Sequence, residues 1–516
     1  MMPSQLYACA LGGAIAYLLI FRILRAWAQR QQWPHMFVRA SRYVYGKVIF
    51  VLLRHVVYPQ VFRSRSRYWF LHQSIYWAGT LTCNFIKAHS LPSIAARAGN
   101  LAVLNFVPLM LAGRLSLAAD LLGIPTRSYV GMHGTFGVMT CGQTALHVIV
   151  SIRDKGWSPE QPIQLYGLVA ASAFALSIAL LIVRRCLYEV FIKMHYILAL
   201  VALVAIWRHV RLQKVFAQLY MVVGSGILIG TTLLHWCLLI VRNVTAGRFG
   251  SRAQVTRAGD SAQIVIPVNR PFTVYAGMTV YIWMPGVSFL SMFSSHPFMV
   301  TWWDVNEQGK ATSISLLVQK KDGFTRKLID HRAKEFLTWI DGPYGEQVDL
   351  SPYTNILLIA SGIGIASQIS YIREMLKYHP KRIFVAWELD DKSNLDWVYN
   401  WMDQLLLQDR NSYILRFGLY LPSSQDSSER PEPWNSKHDR IWRLSGKIDP
   451  WKIVSADFWT GTGNSLVTVS ANKHIRKGIA EVIRDKMTHV VDLLELPFQP
   501  GTPKIHRNRK TNSEQV

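Results

Sequence analysis

Four histidines in apolar surroundings carry the strongest chemical signal in this chain. His133 and His147 lie 14 positions apart in one hydrophobic stretch, and His195 and His209 repeat that interval in another. On an α-helix, 14 positions return to within about 40° of the starting face and rise roughly 21 Å. Each pair therefore shares one helix face. A single apolar stretch separates the two, so both run in the same direction; His133 can face His195, and His147 can face His209. Histidine inside a bilayer is costly and is kept for a partner or a role. Opposed imidazoles suit the two axial positions of a haem iron, and two such levels would hold two haems in file. A proton relay without a cofactor is the competing use. His72 and His235 have no matching partner and read as packing residues.

A second group of signals lies in the carboxy-terminal half. The string His296-Pro297-Phe298-Met299-Val300-Thr301-Trp302 follows an apolar run and a Pro285-Gly286 turn. A strand edge there can lay backbone groups and small polar side chains against a flavin ring. Lys320, Lys321, Arg326 and Lys327 surround Gly323-Phe324-Thr325; that basic turn could meet a pyrophosphate or be a solvated charge cluster. Asp341-Gly342-Pro343-Tyr344-Gly345 is rich in turn formers. Further on, the apolar run Leu357–Ala360 ends in Ser361-Gly362-Ile363-Gly364-Ile365-Ala366, where a helix begins. Glycines let the backbone approach a dinucleotide phosphate, and the helix start supplies free N–H groups. The third glycine of the usual dinucleotide fingerprint is absent. Glu388, Asp390 and Asp391 follow the next strand and suit a ribose hydroxyl better than a 2′-phosphate; Lys392 is the only nearby base.

These residues need elements to carry them. About 20 apolar residues cross a bilayer, which places spans near 7–27, 69–87, 98–118, 130–151, 165–183, 190–210 and 215–241. Segment 46–62 is apolar but broken by Lys47, Arg54 and His55, as an interfacial helix would be. From Arg22 to Arg67 there are ten Lys or Arg and no acid. So basic a loop stays cytoplasmic, which puts the amino terminus outside and everything after Arg242 in the cytosol. Beyond 250 the runs Gln263–Val268, Thr279–Met284 and Thr312–Gln319 predict an antiparallel barrel. From 353, strand and helix alternate as in a parallel sheet with flanking helices. The polar stretch 422–440 reads as a loop.

The formal charge of +25 does not make the chain a nucleic-acid binder, because much of the excess sits between apolar spans. The five cysteines all lie in apolar segments without CxxC spacing, which excludes a disulfide framework or a thiolate metal site. No catalytic side chain stands out; cofactors would carry the redox chemistry.

Taken together, His133/His147, His195/His209, His296-Pro297-Phe298, Asp341–Gly345 and Gly362–Ala366 make the chain resemble the fungal ferric-chelate reductases (metalloreductases), relatives of the superoxide-generating NADPH oxidases. The resemblance covers roughly residues 70 to 500. It implies a membrane all-α bundle of about seven spans with a bis-haem core, followed by a cytosolic ferredoxin-reductase-like unit. That unit would comprise an antiparallel β-barrel for FAD and an α/β parallel-sheet domain for NADPH. The implied divisions are 1–68 (amino-terminal span and basic loop), 69–242 (haem core), 243–350 (FAD barrel), 351–499 (NAD(P)H domain) and 500–516 (basic tail). The resemblance implies that His133, His147, His195 and His209 hold two b-type haems, that His296–Trp302 and Asp341–Gly345 attend FAD, and that Gly362–Ala366 meets NADPH. Electrons would pass from NADPH through FAD and both haems to Fe(III) chelates or siderophores, or Cu(II), outside a plasma membrane. Superoxide production, service to a biosynthetic small molecule, and a histidine-lined transporter with a nucleotide-sensing domain stay open as alternatives. Two departures stand out. Met299 replaces the Thr or Ser usual after His-Pro-Phe, and Val469-Ser470-Ala471-Asn472 replaces a Cys-Gly-Pro string. Phe498 is a candidate cover for the flavin face.

Overall fold

The computed structural model describes residues 3–30, 60–62, 65–211, 215–345, 347–410, 412–421, 432–433, 439–455, 463–485 and 491–496. Phe498, the carboxy-terminal tail, most of the 422–440 loop and all but the end of segment 46–62 lie outside the described residues; 60–62 form a short strand paired with 65–66. The chain divides into two compact units, Met1–Trp236 and Cys237–Val516.

The first unit is helical. Its elements are α1 (Pro3–Arg30), α2 (Arg67–Phe85), α3 (Leu91–Met110), the short α4 (Leu115–Leu122), α5 (Thr126–Lys155), α6 (Pro162–Ala179), α7 (Tyr188–Val210) and α8 (Val215–Asn243), which runs on into the second unit. Among the described residues six helices are long and apolar enough to cross a membrane: α1, α3, α5, α6 with the turn after it, α7 and α8. Six is a count over the described residues by length and composition, and it leaves the expectation of about seven spans standing. The stretch 69–87 does form a helix, α2, but His72, Gln73 and Asn84 dilute its apolar character. The span expected at 98–118 is also displaced. α3 starts at Leu91 behind Pro92 and ends at Met110, and the apolar run continues through a 3-10 turn into α4, whose Ala118, Ala119 and Leu122 are buried. Outward residues such as Ile149, Ile182 and Leu200 are apolar and exposed, as lipid contact requires. Polar contacts sit within. Tyr7 donates to Asn105 Oδ1 at 2.6 Å, Asn84 donates to Gln143 at 3.0 Å, and Arg22 pairs with Asp120 at 3.2 Å. The first and last of these tie α1 to α3 and α4.

The second unit holds two sheets. Seven antiparallel strands are β1 (Ser251–Ala258), β2 (Ser261–Phe272), β3 (Thr279–Trp283), β4 (His296–Met299), β5 (Trp302–Val305), β6 (Ala311–Gln319) and β7 (Glu335–Tyr344), in the order β4-β3-β7-β1-β2-β6-β5. β1 alternates buried Ala253 and Val255 with exposed Arg252 and Gln254, the pattern of a strand with one wet face. A short helix, α9 (Phe324–Asp330), follows β6.

Six parallel strands form the other sheet: β8 (Tyr353–Ser361), β9 (Arg382–Glu388), β10 (Leu415–Leu421), β11 (Ile441–Ser445), β12 (Asn464–Ser470) and β13 (Val491–Glu495). Their order is β11-β10-β9-β8-β12-β13, with Glu432–Pro433 antiparallel at the edge. β8 is buried from Asn355 onward, which explains its near-continuous apolar run. Its helices are α10 (Ile365–Leu376), α11 (Tyr399–Gln408), α12 (Pro450–Ser455) and α13 (Lys473–Asp485). Chain order reverses between β8 and β12, the topological switch point where open α/β sheets bind ligands.

Candidate functional site

The structure brings the four histidines together in the expected pairs. The rings of His133 and His195 stand 6.1 Å apart at 80°, and those of His147 and His209 stand 6.0 Å apart at 81°. Metal–imidazole bonds of about 2 Å on either side put two ring centroids about 6 Å apart, so each pair has the separation that one iron between them needs. The two levels differ in what stands behind the rings. His147 Nδ1 lies 2.8 Å from the carbonyl of Ala95, and His209 Nδ1 lies 2.7 Å from the carbonyl of Ile163. A carbonyl only accepts, so each Nδ1 carries the proton and each Nε2 is left with the lone pair that a metal takes. By contrast, the buried Nδ1 atoms of His133 and His195 meet no partner among the described residues. His195 packs instead on Phe191, 5.6 Å away at 18°. The residues present fit two axially ligated haems.

The switch point is as tightly made. Gly362 and Gly364 form the turn between β8 and α10. A side chain on Gly364 would run into the main-chain oxygen of Ser470, at the end of β12. Gly362 has φ +47°, and a side chain there would meet the carboxylate of Asp390. Asn472 N donates to Ser361 Oγ at 2.8 Å. Gln368 of α10 stitches the two central strands, donating to the Ile359 carbonyl at 2.9 Å and accepting from Thr468 Oγ1 at 2.7 Å. Glycine is thus required where two strand ends converge, and the turn presents backbone rather than side chains, as a dinucleotide phosphate needs. The string Val469–Asn472 forms one wall of this crevice. Asp390 is exposed at the rim, yet its carboxylate lies against the glycine turn, and that partial desolvation raises its pKa above the ordinary aspartate range.

The two barrel strings meet across β3. Tyr281 pairs with Pro297 on one side and Asp341 on the other, and Thr279 pairs with Met299 and Tyr344. The Tyr281 and Tyr344 rings touch edge-on at 5.9 Å, and the Tyr344 hydroxyl donates to the buried Asp341 carboxylate. His296 stacks on Phe324 of α9, with centroids 4.0 Å apart at 11°. Of the string His296–Trp302, the first three residues keep side-chain exposure, whereas Met299, Val300, Thr301 and Trp302 are buried. These four can offer a ligand main chain rather than side chains. Trp302 turns into the core of the parallel-sheet lobe, stacked on Trp401 at 6.3 Å with Arg373 of α10 over its face at 4.4 Å. Arg373 also covers Trp303 at 4.5 Å and donates to its carbonyl. The basic turn is partly neutralised: Lys320 pairs with Asp330 at 2.6 Å, and Arg326 pairs with Asp322.

Sequence reasoning missed Ala95, Gly99, Ile163 and Gly167 behind the His147/His209 rings, and Tyr281 between the two barrel strings. Alternation in β3 could have flagged Tyr281. Nothing along the chain marks the other four, because they lie on helices that carry none of the four histidines. Among the described residues no group of three or more His, Cys, Asp or Glu side chains could hold a metal ion.

Two stretches of the chain match known domain families. Residues 98–206 match the family described as ferric reductase like transmembrane component, and residues 353–489 match the ferric reductase NAD binding domain. The chain is 25% identical over 297 residues to ferric/cupric reductase transmembrane component 2 of Saccharomyces cerevisiae, covering 54% of this chain and 39% of that protein. It is 23% identical over 335 residues to component 7 of the same organism, covering 60% and 51%. The chain thus spans about half the length, or less, of these curated relatives. A solved Amycolatopsis cytochrome P450 reductase, GcoB, aligns with 50% of this chain and 74% of its own at 15% identity and a TM-score of 0.36.

Proposed function

We propose that this multi-pass membrane protein, similar to fungal ferric reductases over both its helical and its nucleotide-binding parts, is an oxidoreductase that delivers electrons from NAD(P)H across the membrane to ferric chelates. The observation that carries the reading is the pair of facing imidazole couples on α5 and α7, at 6.1 and 6.0 Å. Cofactors would supply the redox chemistry, flavin by accepting hydride from nicotinamide and two haems by passing single electrons. The chain's own contribution is position. His133 with His195, and His147 with His209, present opposed nitrogens along one helix pair. Gly362 and Gly364 clear the crevice floor for a pyrophosphate, and the free N–H groups at the start of α10 face it. Pro297 and Tyr281, with the buried Tyr344 behind them, mark the barrel face on which a flavin would lie, where β4, β3 and β7 run side by side.

The excess of basic residues between Arg22 and Arg67 supports a cytosolic nucleotide lobe. His147 and His209 then belong to the outer level, in a plasma membrane, and the acceptor is reduced there. The links after α2 and α5 would face outward. They are short, 86–90 and 156–161, so a loosely docked chelate, a siderophore or Cu(II) suits the surface better than a dedicated metal site. We assign 69–242 to the haem core, 243–350 to FAD and 351–499 to the nucleotide.

The test is acceptor-dependent NADPH and NADH oxidation in membranes holding the full chain, with ferric citrate, a siderophore, cupric ion and oxygen compared. Chelate-dependent oxidation together with a haem difference spectrum is expected. Oxidation that ignores chelate and yields superoxide would move the protein to the oxidase reading, and a colourless protein would sink the electron-transfer reading altogether.

A further inference from the structure

The geometry points to a seating device that, among the described residues, stands behind one histidine pair and is built twice from a carbonyl and a glycine four positions further along a helix. On α3 these are Ala95 and Gly99; on α6 they are Ile163 and Gly167. A side chain on Gly99 would lie 3.0 Å from His147 Nδ1 and 3.2 Å from its Cε1, and one on Gly167 would lie 2.9 and 3.0 Å from the same atoms of His209. Each imidazole therefore rests on a helix backbone with nothing between, close enough for its Nδ1–H to use the carbonyl's second lone pair. Gly99 and Gly167 act through the histidines and are positioning residues.

We infer that this device sets the reduction potential of the group held by His147 and His209, making it lower than that of the group held by His133 and His195. An Nδ1–H donated to a carbonyl pushes electron density to Nε2, raises the ligand's basicity and favours the ferric form. The His133/His195 pair has no such bond among the described residues. None of the described glycines has His133 or His195 among the atoms nearest a built side chain, so among the described residues that level holds no copy of the device.

This rests on haem binding by the four histidines, so the test reads the haems directly. Potentiometric titration of the full-length protein should give two waves. In His147→Ala the single remaining wave should be the upper one, and in His133→Ala the lower one. Gly99→Ala and Gly167→Ala, which push on the rings, should each raise the lower wave, leave the upper one in place and weaken haem retention at that level by about 10- to 100-fold. Gly137→Ala, in open space, should change neither wave. One unsplit wave, a His147→Ala protein that keeps the lower wave, or glycine variants with an unmoved lower wave would each overturn the inference. Where a glycine variant fails to fold, the histidine variants decide. Absence of haem from the wild-type protein would instead sink the function proposed above.

Discussion

The two histidine levels share two helices, one interval and nearly one ring geometry, yet they are held differently. At His147/His209 each ring is fixed from behind by a carbonyl of a third or fourth helix. At the other level His195 is backed by an aromatic ring one helical turn away on the same helix, Phe191, and His133 Nδ1 has no hydrogen-bond partner among the described residues. The first arrangement fixes which nitrogen carries the proton; the second leaves it open. A pair of ligands is thus placed by spacing along its own helices, whereas its electronic character is decided by neighbours that spacing does not mention.

The sharpest way to break the comparison is to remove one level. His147→Ala should abolish acceptor reduction and remove one haem's share of the absorbance, while bleaching of flavin by NADPH in stopped flow continues. Full acceptor reduction in that variant would refute a series path through both levels. Next in size is a variant that separates the levels from the nucleotide lobe. Gly364→Val drives a side chain into the Ser470 oxygen. It should lower coenzyme-driven haem reduction by more than about tenfold, as the loss of well over 1.4 kcal/mol of binding or local stability implies, while dithionite still reduces both haems. If coenzyme-driven reduction survives, the crevice is not the nucleotide site.

A smaller effect sharpens the contrast itself. Phe191→Ala removes a stacking partner worth about 0.5–1.5 kcal/mol, so haem retention should fall about two- to tenfold at His133/His195 and stay unchanged at His147/His209. Equal loss at both levels would mean that Phe191 supports the bundle rather than that ring. The smallest change is expected from Asp390→Asn, which should shift the NADPH-to-NADH ratio of KM values severalfold in favour of NADPH. Burial against Gly362 raises the carboxyl's pKa, so the wild-type ratio should drift toward that of the variant as pH falls and Asp390 becomes neutral. A pH-independent ratio would remove Asp390 from coenzyme choice.

Much of this architecture was legible. The 14-residue interval survives because a straight helix converts sequence distance into face and height directly. Strand β8 and its glycine turn were legible because an apolar run, two glycines and a helix leave few other folds. The membrane count was harder. Hydropathy reports burial and cannot tell lipid from protein, so 98–118 read as one span although a 3-10 turn breaks it after Met110. That Trp302 packs its side chain in the parallel-sheet lobe was not legible, because neither the resemblance nor the strand pattern says which other lobe covers a residue. Gly99 and Gly167 were invisible for a related reason: their meaning lies in contacts with helices distant in sequence.

The grip of Arg373 on Trp302 and Trp303 bears on how coenzyme exchange can work. One guanidinium covers both indoles and bonds to the strand that follows His-Pro-Phe, while its own helix begins at the glycine turn. Barrel and lobe therefore share a rivet about two and a half helical turns from the glycine turn. A hinge that admitted a ligand by parting barrel from lobe would first have to break this contact.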